Sequence, residues 1–91
     1  MTKEAFNNYW LKVHAPLVKK LPGIIRYVQN RIIQNGDPES QVDGYVELWF
    51  ESLAAFEKAF ESPAGQKLRQ DDKNFIGSIH MMFVEEHVIV P

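Results

Sequence analysis

A proline set beside a histidine inside an apolar helix constrains this chain more than any other feature. Residues 6–23 read FNNYWLKVHAPLVKKLPG. With successive residues turned about 100° around a helix axis, Phe6, Tyr9, Trp10, Leu11, Val13 and His14 fan across one broad apolar sector, with His14 well inside it. Pro16 has no N–H to give the carbonyl of Lys12, and it disfavours helical geometry at Ala15. The helix has to kink, or end and restart, right beside the histidine. A titratable ring facing an apolar layer is either a hydrogen-bonded core group or the working group of a pocket.

Along the chain the expected order is α, β, β, α, β in a single domain, residues 1–91, without repeats. Thr2 is placed to cap the first helix, with Glu4 favourable to its dipole, and Pro22-Gly23 stops it. Residues 24–34 are rich in β-branched side chains and read as a strand. Its alternation is impure: Ile25, Tyr27 and Ile33 share a face with Gln29 and Arg31, while Ile24, Val28 and Ile32 share one with Asn30. A loop over 34–43 carries Asn35-Gly36-Asp37-Pro38 as its turn signal. Residues 45–50 form a second strand, with Val46, Leu48 and Phe50 on one face and Tyr45, Glu47 and Trp49 on the other. Ser52 caps a helix with Leu53, Phe56, Ala59 and Phe60 at helical spacing. Ser62-Pro63 opens another helix that ends near Asp72. Phe75 to Gly77 then lead into a last strand over 79–90.

Composition excludes several classes. With 45% hydrophobic residues and eleven aromatics, the chain has the material for one folded core. The ten basic residues are scattered against a net charge of −2, so no nucleic-acid partner is expected. No apolar run reaches membrane-spanning length, and the absence of cysteine excludes disulfides and thiolate metal sites. A protein of the cytoplasm, with no membrane partner, is the expectation. His80 and His87 stand seven apart on the last expected strand and so on opposite faces. With no metal-ligand spacing, phosphate loop, nucleophile elbow or dinucleotide fingerprint, neither a metal nor another cofactor is expected.

His14 is the strongest candidate for chemistry, because imidazole titrates near neutral pH without help. The bland alternative is a histidine tied to a carbonyl left free by Pro16. Tyr27 and Asn30 point to opposite strand faces; the phenol could donate to a substrate oxygen or simply bury its ring. Asparagine is disfavoured in strands, so Asn30 is harder to explain as packing. Glu47, between Tyr45 and Trp49 on one face, is a base, a group that orients His14, or a solvated outer-face residue. Trp10, Trp49 and Phe75 could wall a pocket, although aromatic stripes are more often core.

The pattern aromatic-x-x-Tyr-Trp-x-x-x-His-Ala-Pro-Leu-Val-x-Lys-Leu-Pro-Gly, from Phe6 to Gly23, resembles the EthD family, named for ethyl tert-butyl ether degradation. Further matches follow in Tyr27-Val28-Gln29-Asn30, Asp43-Gly44, Glu47-Leu48-Trp49-Phe50-Glu51-Ser52, and Ser62-Pro63 with Gly65. The resemblance implies an α+β ferredoxin-like sandwich of the dimeric α/β-barrel type, an antiparallel sheet with helices on one face. In that fold a strand precedes the first helix, and a deficit of about ten residues is expected here. A homodimer follows from the bare sheet face such a domain leaves. The resemblance also implies a pocket for a small aromatic, lactone or polyketide-like ligand. There His14 would be general acid/base for cofactor-independent isomerase, cyclase or dehydratase chemistry. Trp10, Trp49 and Phe75 would wall that pocket, and Tyr27 or Asn30 would hydrogen-bond a carbonyl. Two alternatives stay open: a cofactor-free monooxygenase of the same superfamily, and a non-catalytic dimeric accessory protein of a catabolic pathway.

Overall fold

Helix formation begins where a side chain replaces a missing backbone acceptor. The Thr2 hydroxyl takes the Ala5 N–H at 3.0 Å ahead of α1, Lys3–Tyr9. The computed structural model describes residues 2–34, 36, 37, 39 and 42–91. The chain does not leave the helix at Pro16. It passes through a π-helical turn, Trp10–His14, directly into α2, Ala15–Val18. In that turn the Ala15 N–H reaches back five residues to the Trp10 carbonyl. An α-turn would drive the Pro16 ring into the carbonyl of Lys12, and a wider turn has room for it. The helix thus answers its proline with a bulge rather than an end. Tighter bonds finish it, Lys20 N–H to Leu17 and Leu21 N–H to Val18, and Gly23 turns the chain away at φ 78°.

Strands β1, Arg26–Arg31, and β2, Gly44–Trp49, pair antiparallel with Arg26 opposite Trp49 and Arg31 opposite Gly44. Residues opposite one another share a face. Tyr27, Gln29, Val46 and Leu48 therefore look toward the helices, while Arg26, Val28, Asn30, Tyr45, Glu47 and Trp49 look away. Of the expected turn between the strands, Asn35 and Pro38 lie outside the described residues. Ser52 and Ser62 cap α3, Leu53–Glu61, and α4, Pro63–Phe75, each hydroxyl accepting the N–H three residues on. The core gathers Val18, Leu21, Ala59, Phe60 and Leu68, with Tyr27 and Leu48 packed against it from the sheet. No helix among the described residues is long and apolar enough to cross a membrane.

The expected last strand does not form. Residues 79–90 lie in no ladder, and Val84, Ile89 and Val90 are 84–86% exposed. Strand propensity is not sufficient, because an isolated strand leaves its backbone groups without partners, and the sheet as described has two strands. Phe83 ties the segment to α3 through an edge-on contact with Phe56, centroids 5.1 Å apart.

Gly44 sets how closely the first helix approaches the sheet. A Cβ there would stand 2.7 Å from the Trp10 ring and 2.8 Å from the Asn30 carbonyl oxygen. Gly44→Ala should therefore cost about 1–3 kcal/mol in urea unfolding, because packed indole and backbone must both move. Gly36→Ala, which meets open space, is the control. Equal stability of the two variants would contradict this packing.

Candidate functional site

The π-turn determines which side chains meet α4. In a regular α-helix Tyr9 and His14, five residues apart, would diverge by about 140°. A turn closed by an i→i+5 bond brings such positions back onto one side. Both side chains accordingly reach the same carboxylate. Tyr9 donates its hydroxyl to Asp71 Oδ1 at 2.5 Å, and His14 Nδ1 lies 2.8 Å from Asp71 Oδ2. Asn74 Nδ2 adds a bond to Oδ1 at 3.3 Å. The Phe75 ring packs on both partners, 4.8 Å from the His14 ring and 5.0 Å from Tyr9. His14 and Asp71 are buried, at 6% and 8% exposure.

These contacts set the charges. Burial pushes the Asp71 carboxyl up, but hydrogen bonds from Tyr9, His14 and Asn74, with the charge of His14, outweigh it and hold the group below its usual range. An ionised carboxylate has no proton to give, so His14 Nδ1 carries the proton in this bond. Nε2 is left as the nitrogen that can exchange one. It faces Asp72 Oδ1 at 3.5 Å. The Asp72 carboxyl is pushed up by burial and by the charge of Asp71, with His14 opposing. The Tyr9 phenol is raised by its bond to Asp71 and by burial. Polar contacts thus run in a line from partly exposed Asp72 through His14 and Asp71 to Tyr9.

On the sheet side, the Gln29 amide nitrogen donates to the Trp10 carbonyl at 2.9 Å and to the Tyr27 hydroxyl at 2.7 Å. With its oxygen accepting from Gln29, the Tyr27 hydroxyl keeps its own proton for another acceptor. Burial raises the Tyr27 phenol against the lowering effect of its Gln29 bond, and the charge of Asp72 adds a smaller push. Tyr27 also lines a cleft of about 460 Å³ between the first helix and β1, with Trp10, Leu11 and Gln29 among its walls. Among the described residues, no group of three or more His, Asp or Glu side chains is arranged to hold a metal ion.

The candidates from sequence divide between the two sheet faces. His14, Trp10, Phe75 and Tyr27 gather on the helix side. Asn30, Glu47 and Trp49 lie on the far side, where Asn30 Nδ2 donates to Glu47 at 3.3 Å and the Arg26 guanidinium stands 6.0 Å from the Trp49 ring centre. His80 is exposed, and exposed His87 lies 3.6 Å from Glu85. The helical wheel also placed Leu11 and Val13 inside, whereas they are 56% and 46% exposed. Asp71, Asp72 and Tyr9 were missed as site residues. One signal for Asp71 was present: it shares an α4 face with Leu68 and Phe75, three before and four after it, and a charge on an apolar stripe calls for a partner.

Folding depresses Asp71 and raises Asp72, so their variants should respond with opposite signs. The Asp71 contribution is complete above its unfolded value near 3.9 and is lost as pH falls through the lower folded value. Asp71→Asn should cost about 1–2 kcal/mol at pH 7, solvent at the half-exposed Tyr9 keeping it modest, and that deficit should shrink below pH 4. Asp72→Asn should be neutral to stabilising at pH 7, because folding disfavours the charged form it removes. Urea titrations at pH 7 and pH 3.5 read both effects. An Asp71→Asn deficit that persists unchanged at acid pH would contradict the ionised Asp71.

Comparisons with known proteins agree with this architecture. Residues 1–79 match the EthD domain. The chain is 34% identical over 89 residues, 96% of its length and 85% of the relative's, to an uncharacterized 11.0 kDa protein in the thcB-thcC intergenic region of Rhodococcus erythropolis. It also resembles, at a TM-score of 0.77 and 27% identity, the crystal structure of an EthD family protein from Bacillus halodurans, with 94% of this chain and 87% of the other covered. The α+β sandwich with helices on one face of an antiparallel sheet is thus the EthD fold. By its sequence and its fold, the chain belongs to the EthD family.

Proposed function

We propose that the protein binds a small aromatic, lactone or polyketide-like molecule in the cleft between the first helix and β1. There it performs cofactor-independent proton transfer with His14 as general acid/base. The observation that carries this reading is that Tyr27 lines the cleft and that the π-turn ending at His14 supplies more of its wall through Trp10 and Leu11. Tyr27 donates its free proton to a ligand carbonyl. His14, held by Asp71, moves a proton at the neighbouring carbon through Nε2. Asp71 orients the ring, and Asp72 passes the proton to and from solvent. Trp10 supplies a flat apolar wall. Asn30, Glu47 and Trp49, on the opposite face, serve a homodimer contact through the uncovered side of the sheet. A purely monomeric mass in sedimentation would remove that last role.

A thermal-shift and turnover screen of aromatic acids, lactones and phenolic ketones tests the reading on wild type, His14→Gln and Tyr27→Phe. We expect one ligand class to stabilise wild type and to be turned over. His14→Gln should still bind it yet lose about 10²- to 10⁴-fold in rate. Full turnover by His14→Gln would refute the assignment. If no ligand shifts wild type and His14→Gln merely melts lower, the histidine serves the core and the non-catalytic accessory role takes over.

A further inference from the structure

We infer that the cleft between the first helix and β1 selects a hydroxylated aromatic acid, its carboxylate on Arg31 and its hydroxyl on Asn7. The inference rests on that cleft being the ligand pocket. Arg31, the last residue of β1, is the one charged side chain among those lining it, and no carboxylate lines it. Among the described residues Arg31 has no ion-pair partner. An adjoining opening shares Asn7, Leu11 and Arg31, and there Glu4 is accompanied by Lys3, so the local balance stays positive in a chain of net charge −2. A guanidinium free at the mouth of an apolar cleft is suited to take a carboxylate through two parallel hydrogen bonds.

Asn7 supplies the second, independent observation. Its side chain is part of the cleft wall, the residue is 9% exposed, and its Oδ1 is sealed from solvent without a hydrogen-bond partner. Buried acceptors are nearly always satisfied, because an unpaired one carries its full desolvation penalty. Neighbouring amides do not relieve it, since both protons of Gln29 Nε2 are committed to Trp10 and Tyr27. A turn of the amide about its soft χ2 brings this oxygen to the cleft, where a ligand O–H provides the missing donor. In the same lining, Trp10 and Leu11 present an apolar surface that suits a flat ring, and a volume of about 460 Å³ is ample for one.

Calorimetric titration of the full chain with 4-hydroxybenzoate, its methyl ester, benzoate and 4-hydroxyacetophenone tests this at low salt. We expect wild type to prefer 4-hydroxybenzoate to the ester and to benzoate, with affinity falling as salt rises. Arg31→Gln, a change at an exposed position, should weaken 4-hydroxybenzoate about 10- to 100-fold and leave the ester unaffected. Asn7→Leu should erase the preference for 4-hydroxybenzoate over benzoate without lowering Tm, since it removes an unsatisfied group. Unchanged affinity in Arg31→Gln, or a wild-type preference for the ester, overturns the inference. If 4-hydroxyacetophenone binds and no acid does, the anion specificity fails while the cleft survives as a pocket. If none of the four binds, both fail.

Discussion

Everything near the site depends on one widened helical turn. Pro16 cannot donate to Lys12, and the chain meets this by closing the preceding turn over five residues instead of four. That change of phase rotates His14 onto the same side as Tyr9. Both side chains then converge on Asp71, which α4 presents between Leu68 and Phe75. A backbone defect forced by a ring without an N–H thereby becomes the device that assembles a Tyr–Asp–His cluster around a buried carboxylate.

The same turn links the cluster to the sheet. The Trp10 carbonyl takes the Ala15 N–H and the Gln29 amide together, and Gln29 in turn bonds Tyr27. Gly44 lets the Trp10 indole rest on the start of β2. Helix, strand and cleft are therefore mutually positioned by a few directional contacts, while the aliphatic core of Val18, Leu21, Phe60 and Leu68 supplies the bulk of the packing. Asp71 and Asp72 show how adjacent carboxyls acquire different character. One is stabilised in its charged form by three donors, and the other is disfavoured by burial and by its neighbour's charge.

Local chemistry was legible in the sequence, and long-range partnership was not. Thr2, Ser52 and Ser62 announced three helix starts because a cap involves residues three apart, and the alternation of 45–50 separated Leu48 from Trp49 correctly. His14 could be placed in an apolar layer, but its partner could not be named. Tyr9 and His14 meet one carboxylate through the π-turn, whereas a regular 100° wheel leaves them about 140° apart within a broad apolar sector that also draws Leu11 and Val13 inside. Which face of β2 the helices cover depends on tertiary packing, so alternation alone could not say whether Glu47 and Trp49 or Val46 and Leu48 would meet them. Residues 79–90 were read as a strand from their β-branched content, yet a strand also requires a neighbour with free hydrogen-bonding groups.

The central claim is that Asp71 fixes the protonated nitrogen of His14. Long-range ¹⁵N–¹H correlation spectra of the imidazole rings, taken at a pH where they are neutral, test it most directly. The account predicts that His14 carries its proton on Nδ1 in wild type and loses that strict preference in Asp71→Asn, while exposed His80 and His87 are unaffected by the substitution. A wild-type His14 protonated on Nε2 would contradict it, because the carboxylate of Asp71 could not then be receiving the proton that holds the ring in place.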